Sequence, residues 1–228
     1  MEFINDIIQY PHLSNALFVC ILSGIACGIV GTYIVARRMV FLSGGITHSS
    51  FGGLGIALYA NTNPIVGALI FAIAAAIGIE WASERGRIRQ DSAIGIVWSV
   101  GMAIGIVFMN LRPGYTAGDL AAYLFGSIIT VTEGDVVALG VLCAALIIGA
   151  LLWLRHIMFV AFDRDFAASQ GIPTRTISYI MAIVVAVTIV LSIRAMGIIL
   201  LISLLTRPAV IVNSITKSYR QITIWSAV

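Results

Sequence analysis

The sequence predicts an all-α protein, a polytopic transmembrane bundle of about seven spans with its N-terminus outside and an eighth span cut off. Three observations lead there. Of 228 residues, 60% are hydrophobic and 10% charged, with a mean hydropathy of +1.06; a soluble fold of this length has no interior large enough for that much apolar material. The apolar residues gather in runs suited to a hydrocarbon layer of about 30 Å. The basic residues fall between those runs, and almost all of them on one side.

Ala16–Val35 carries no charge and is stopped by Arg37-Arg38. Val40–Ala60 and Pro64–Ile79 follow as the second and third spans, and Glu84–Asp91 reads as a polar loop. Ala93–Leu111 is the fourth span, Arg112–Asp135 a long mixed loop, and Val136–Leu154 the fifth span. Ile177–Ile193 is the sixth, and a seventh runs from Ala195 towards Val212. Pro208 is expected to kink or end that helix, and Arg207 to reach water near its cytoplasmic end. From Ile222 the chain turns apolar again, as an eighth span would. The start, Met1-Glu2-Phe3-Ile4-Asn5-Asp6, is acidic, whereas a cleavable signal wants a basic start. The first span is therefore expected to act as its own signal. Residues 1–228 are expected to form a single transmembrane domain.

Orientation follows from Lys and Arg. With the N-terminus outside, eleven of the 13 basic residues face inward and only Arg112 and Arg194 face outward. Cys20, Cys27 and Cys143 lie inside apolar runs, with no Cys-x-x-Cys pair, and read as small hydrophobes in helix packing. Gly24/Gly28 and Gly101/Gly105 have the spacing that lets membrane helices touch. Asp119, Glu133 and Asp135 read as acids covering the outer loop, with the guiding of cations as the alternative.

One polar island, Phe162–Pro173, lies on the inner side. Asp163 can cap a short helix, since its carboxylate can accept from the first-turn N–H groups. Phe162, Phe166 and Gln170 then share a face. Gly171 can end the helix in a left-handed turn, and Pro173 forbids its return. The result is a stub of two or three turns outside the membrane, suited to carrying force from another protein, although a plain solvated loop fits the composition equally.

The other loaded stretch is Leu42–Gly53. His48 is the only histidine well inside an apolar span. Gly44, His48 and Gly52 fall four apart on one face, with Gly45, Ser49 and Gly53 beside them. A polar side chain in the hydrocarbon zone faces a partner or a cavity. Neutral imidazole suits Zn²⁺, Mn²⁺ or Fe²⁺, but it serves equally as a hydrogen-bonding group to a neighbouring helix. One histidine is not a metal site without partners from other helices.

The energy source is argued by absence. An ATPase needs a glycine-rich cradle ending in Gly-Lys-Ser/Thr, and the only lysine, Lys217, follows Thr216 in no such loop. Gradient-driven carriers keep buried carboxylates in mid-span; none stands there, and Glu80 lies at a span end. An external motor docking on the polar island is expected, and the chain itself is expected to be no enzyme and to bind no cofactor.

Several segments, in order, resemble the permease subunit of the zinc/manganese/iron ATP-binding-cassette importers, the ABC-3 family. They are Gly31–Leu42 at the end of the first span, His48 in the second, Asp91–Ile96 at the start of the fourth, and Tyr123–Ile128 in the outer loop. Phe162–Ala167 with Gly171-Ile172-Pro173 follows, then Met196–Leu201 with Leu204-Leu205-Thr206 and Pro208-Ala209. The resemblance implies a homodimer of permeases in a bacterial plasma membrane, two ATP-binding ATPase subunits and an extracytoplasmic metal-binding protein, with no nucleic acid involved. It implies that Phe162, Asp163, Phe166, Ala167, Gly171 and Pro173 couple to the ATPase. It also implies that His48 faces the metal route, with Gly44, Gly45, Ser49 and Gly52 packing around it. Relatives commonly carry an aspartate and a proline where Gly44 and Gly52 stand, and an apolar residue at Arg207; the lost carboxylate predicts weaker metal binding or a changed metal preference. Two other readings stay open, an iron-chelate or cobalamin permease of the same coupled type and a channel or secondary carrier with no ATPase.

Overall fold

The computed structural model describes residues 10–86, 88–112, 125–128, 131–216 and 218–227. Asp119, Tyr123, Leu124 and Lys217 lie outside the described residues. Among those described, the regular structure is helical throughout: α1 (Pro11–Ala36), α2 (Val40–Tyr59), α3 (Pro64–Glu84), α4 (Gln90–Leu111), α5 (Glu133–Phe162), α6 (Arg164–Ser169), α7 (Thr174–Ile215) and α8 (Tyr219–Ala227). Five of these, α1, α3, α4, α5 and α7, are long and apolar enough to cross a membrane. Helix α2 matches them in length, but its Ser, Thr, His and Gly residues dilute its apolarity.

The helices outrun the apolar stretches that announce them. Helix α3 continues past Ile79 to Glu84, and α5 past Leu154 to Phe162. Helical hydrogen bonding does not stop where apolarity does, and polar side chains on the extra turns can reach water. Asn63 starts α3 by accepting from the Ile65 N–H at 3.0 Å, with Pro64 in the first turn.

The break in α7 is not at Pro208. The helix runs through Pro208 to Ile215, and its one non-helical residue is Gly197, at φ 72° and ψ 173°. Proline is tolerated inside membrane helices because its surroundings re-satisfy the freed backbone groups. The Gly197 conformation is open only to glycine. The predicted sixth and seventh spans therefore meet at a glycine joint.

The chain divides into two units. The first comprises Met1–Thr32, Gly118–Leu154 and Leu191–Val228. Its core joins Val19, Val131, Leu139 and Ala195. A Cβ on Gly28 would collide with the Ser226 carbonyl of α8, and one on Gly31 with the Leu205 carbonyl of α7. Gly24, the other half of the predicted pair, has nothing within 4 Å of such a Cβ; the close contact is shifted to the Gly28/Gly31 edge of α1. Gly126 abuts Gly197, and the Ser127 N–H donates to the Arg194 carbonyl at 3.1 Å. Asp135 accepts from Arg194 at 2.8 Å and from the Thr132 N–H and hydroxyl, so its carboxylate is held in a local cluster.

The second unit comprises Tyr33–Ala117 and Arg155–Val190. Here α2 packs against both α3 and α4. A Cβ on Gly101 would come within 2.5 Å of the Ser49 Cα, and one on Gly105 within 2.5 Å of the Phe51 carbonyl oxygen. The backbones meet because these residues have no bulk.

Candidate functional site

Helix α2 delivers His48 two turns in from its start. The imidazole lies stacked on Trp98 of α4, ring centroids 4.4 Å apart and 7° between planes. Its Nδ1 is buried and meets no hydrogen-bond partner. Gly44, one turn earlier, faces the same indole, since a Cβ there would lie 3.4 Å from the ring. Gly45 faces Ile94, Gly52 faces Phe71 of α3, and Ser49 is buried, donating to the Ile46 carbonyl at 3.0 Å. The space left by the small residues is thus filled by aromatic and aliphatic side chains. Among the described residues no three His, Cys, Asp or Glu side chains gather, so His48 offers a single nitrogen donor. Trp98 escaped the sequence reading, because nothing in one chain marks which aromatic on α4 turns towards α2.

The polar island forms a shorter helix than expected. Phe162 is the last residue of α5, and Asp163, in extended conformation, separates it from the six residues of α6. Its carboxylate accepts from the Phe166 N–H at 2.9 Å. At the other end the Ile172 N–H reaches the Ala167 carbonyl at 3.1 Å and the Gly171 N–H the Ala168 carbonyl at 3.0 Å, with Gly171 at φ 76°. These bonds close the helix through a left-handed glycine. Ala167 is fully buried, while Phe162 and Phe166 are about half exposed. Phe166 also meets Phe159 edge to face at 6.3 Å. Pro173 directly precedes the start of α7. A short helix pinned at both ends, with Phe166 on it and Phe162 just before it both half exposed, is a rigid handle.

Beneath that handle lies a cluster the sequence reading missed. Glu80 is 2% exposed and sits one turn before Glu84 on α3. Arg37, just past α1, meets Glu80 through both guanidinium nitrogens at 3.3 and 3.5 Å and donates to the Tyr33 hydroxyl at 2.8 Å. Burial works against the Arg37 charge, but Tyr33 and Glu80 outweigh it and hold the guanidinium above its ordinary range. Arg164 of α6 bridges both carboxylates, 3.4 Å from Glu80 and 3.3 Å from Glu84. Glu84 also accepts from Arg175 at 3.1 Å and from the Tyr179 hydroxyl at 3.0 Å. The signal that could have found it is the spacing of Glu80 and Glu84, which puts two acids on one helix face.

The profile of the ABC 3 transport family matches residues 9–228. This chain belongs to that family. As an ABC-3 permease it is a multi-pass membrane protein, like the relatives it matches. It is 34% identical to an uncharacterised membrane protein of Synechocystis sp., over 97% of this chain and 78% of that one. It is 32% identical to the manganese transport system membrane protein MntC of Halalkalibacterium halodurans, over 90% of this chain and 70% of that one. Among solved structures, the PsaBC complex of Streptococcus pneumoniae with a Fab matches with a TM-score of 0.84 at 27% identity, covering 99% of this chain and 81% of that one.

Proposed function

We propose that this ABC-3 permease is the membrane-spanning subunit of an importer for a divalent transition metal (manganese, zinc or iron), driven by a separate ATPase subunit. The observation that carries the reading is the handle at Arg164–Ser169, capped at both ends, in a chain with no phosphate cradle. Family membership and likeness to a protein named for manganese transport support it. In this reading the chain has about seven spans with the N-terminus outside, two copies flank the path, and an extracytoplasmic metal-binding protein delivers the ion. Phe162, Asp163, Phe166, Ala167, Gly171 and Pro173 present the surface the ATPase grips. His48 meets the ion on its way, since its Nδ1 is buried and unpartnered on a helix face that it shares with Gly44 and Gly52.

Two measurements test it. Cells carrying His48→Ala are expected to lose uptake of the transported metal when manganese, zinc and iron are compared; unchanged uptake of all three removes His48 from the route. Asp163→Ala and Gly171→Val are expected to weaken co-purification of the ATPase subunit. Undiminished association in both variants places the docking surface elsewhere.

A further inference from the structure

The ion-pair cluster joins the handle to the helix that carries His48. Arg164 opens α6 and holds Glu80 and Glu84 at 3.4 and 3.3 Å. Glu80 in turn holds Arg37 at 3.3 Å. Arg37 is followed by a tight turn: Arg38 takes φ 57°, and the Met39 N–H donates to the Ile34 carbonyl at 3.0 Å. Helix α2 begins at Val40, and His48 lies eight residues on, about 12 Å along the axis at 1.5 Å per residue. On the handle itself, Ala167 is fully buried.

We propose that Arg164 is a positioning residue that transmits displacement of the short helix, through Glu80 and Arg37, to the start of α2 and so to His48. This rests on the docking reading given above. A guanidinium shared by two carboxylates is suited to the task. Its planar fork sets direction as well as attraction. Glu80 is too buried to exchange its arginine partners for water, so moving α6 either drags α3 and the Arg37 turn along or breaks charge pairs in a place that solvates them poorly. Ala167 alone offers no directional bond. Arg175 and Tyr179 tie the start of α7 to the same Glu84 and steady it from the far side.

The test is made on the complete transporter, permease with its ATPase subunit, reconstituted in vesicles with manganese as the probe. Imported metal and hydrolysed ATP are both counted, and their ratio is the readout. Arg164→Gln is expected to retain the ATPase subunit and go on hydrolysing ATP, while metal imported per ATP falls about tenfold, within the range of coupling between distant sites. Arg164→Lys keeps a charge but loses the fork, and is expected to fall between the two; should Arg164→Gln not reach the membrane, Arg164→Lys is judged by the same ratio. A merely structural arginine would lower import and hydrolysis together and leave the ratio unchanged. An assembled, hydrolysing complex with the wild-type ratio in the variant overturns the relay alone. A wild-type chain that retains no ATPase subunit overturns the docking reading itself.

Discussion

His48 and Trp98 lie face to face, 4.4 Å between ring centres and 7° between planes, across the seam of α2 and α4. The indole fixes the plane of the imidazole while leaving Nδ1 without a partner. In a helix with glycine on either side of His48, this stack is what gives the ring a defined orientation. Trp98→Ala is expected to reduce metal uptake by severalfold, less than His48→Ala, and Trp98→Phe to restore most of it because a flat ring is kept. Initial uptake rates of manganese in cells carrying each variant check the order; equal rates in Trp98→Ala and wild type deny the stack a role.

Glu80 is the carboxylate whose loss should cost most. Removing it strands Arg37, whose side chain is 12% exposed, without its buried counter-charge. Glu80→Ala is expected to destabilise the protein by about 3 kcal/mol, in the range for breaking one side of a buried pair. Removing the outer pair through Arg175→Ala should cost under about 1 kcal/mol, because that guanidinium is 68% exposed. Thermal unfolding of the detergent-solubilised variants measures both.

Gly24 and Gly28 make a matched experiment. Gly28→Ala would drive a methyl group into the Ser226 carbonyl, and should force α8 from α1 at a cost of about 1–3 kcal/mol. Gly24→Ala meets nothing within 4 Å and should shift stability by less than about 0.5 kcal/mol. Melting temperatures of the two variants side by side give the answer, and equal shifts would contradict the packing of α8 on α1.

Gly197 is the joint of α7, and its φ of 72° with ψ of 173° suits no residue with a Cβ. Gly197→Ala is expected to cost about 1–3 kcal/mol of backbone strain. It should also loosen the Gly126 contact, where the two backbone segments leave no room for bulk. Limited proteolysis of the membrane-embedded protein, comparing cleavage between residues 113 and 130 in variant and wild type, checks the second effect. Identical cleavage patterns and melting curves would show that the joint tolerates a side chain.

Asp163 and Gly171 were legible in advance, because capping is a matter of a few neighbouring residues and their hydrogen-bonding groups. The carboxylate on the Phe166 N–H and the left-handed Gly171 follow from that local chemistry. Phe162 was assigned to the wrong helix, since its spacing fits both and only the extended backbone at Asp163 separates them. Pro208 misled for a related reason. A missing N–H is visible in sequence, but its tolerance depends on what surrounds the helix.

Composition, the order of apolar runs and the capping residues are enough to establish a helical membrane protein, the order of its long helices, the two caps of the handle and a lone imidazole in an apolar stretch, because each depends on burial or on bonds between near neighbours in the chain. The indole on His48, the arginine bridging Glu80 and Glu84, the joint at Gly197 rather than Pro208, and the choice of Gly28 over Gly24 came only with the folded chain. These are contacts between residues from tens to nearly two hundred positions apart, and the rotation of one helix against another, which sets them, is decided by the packing of whole surfaces.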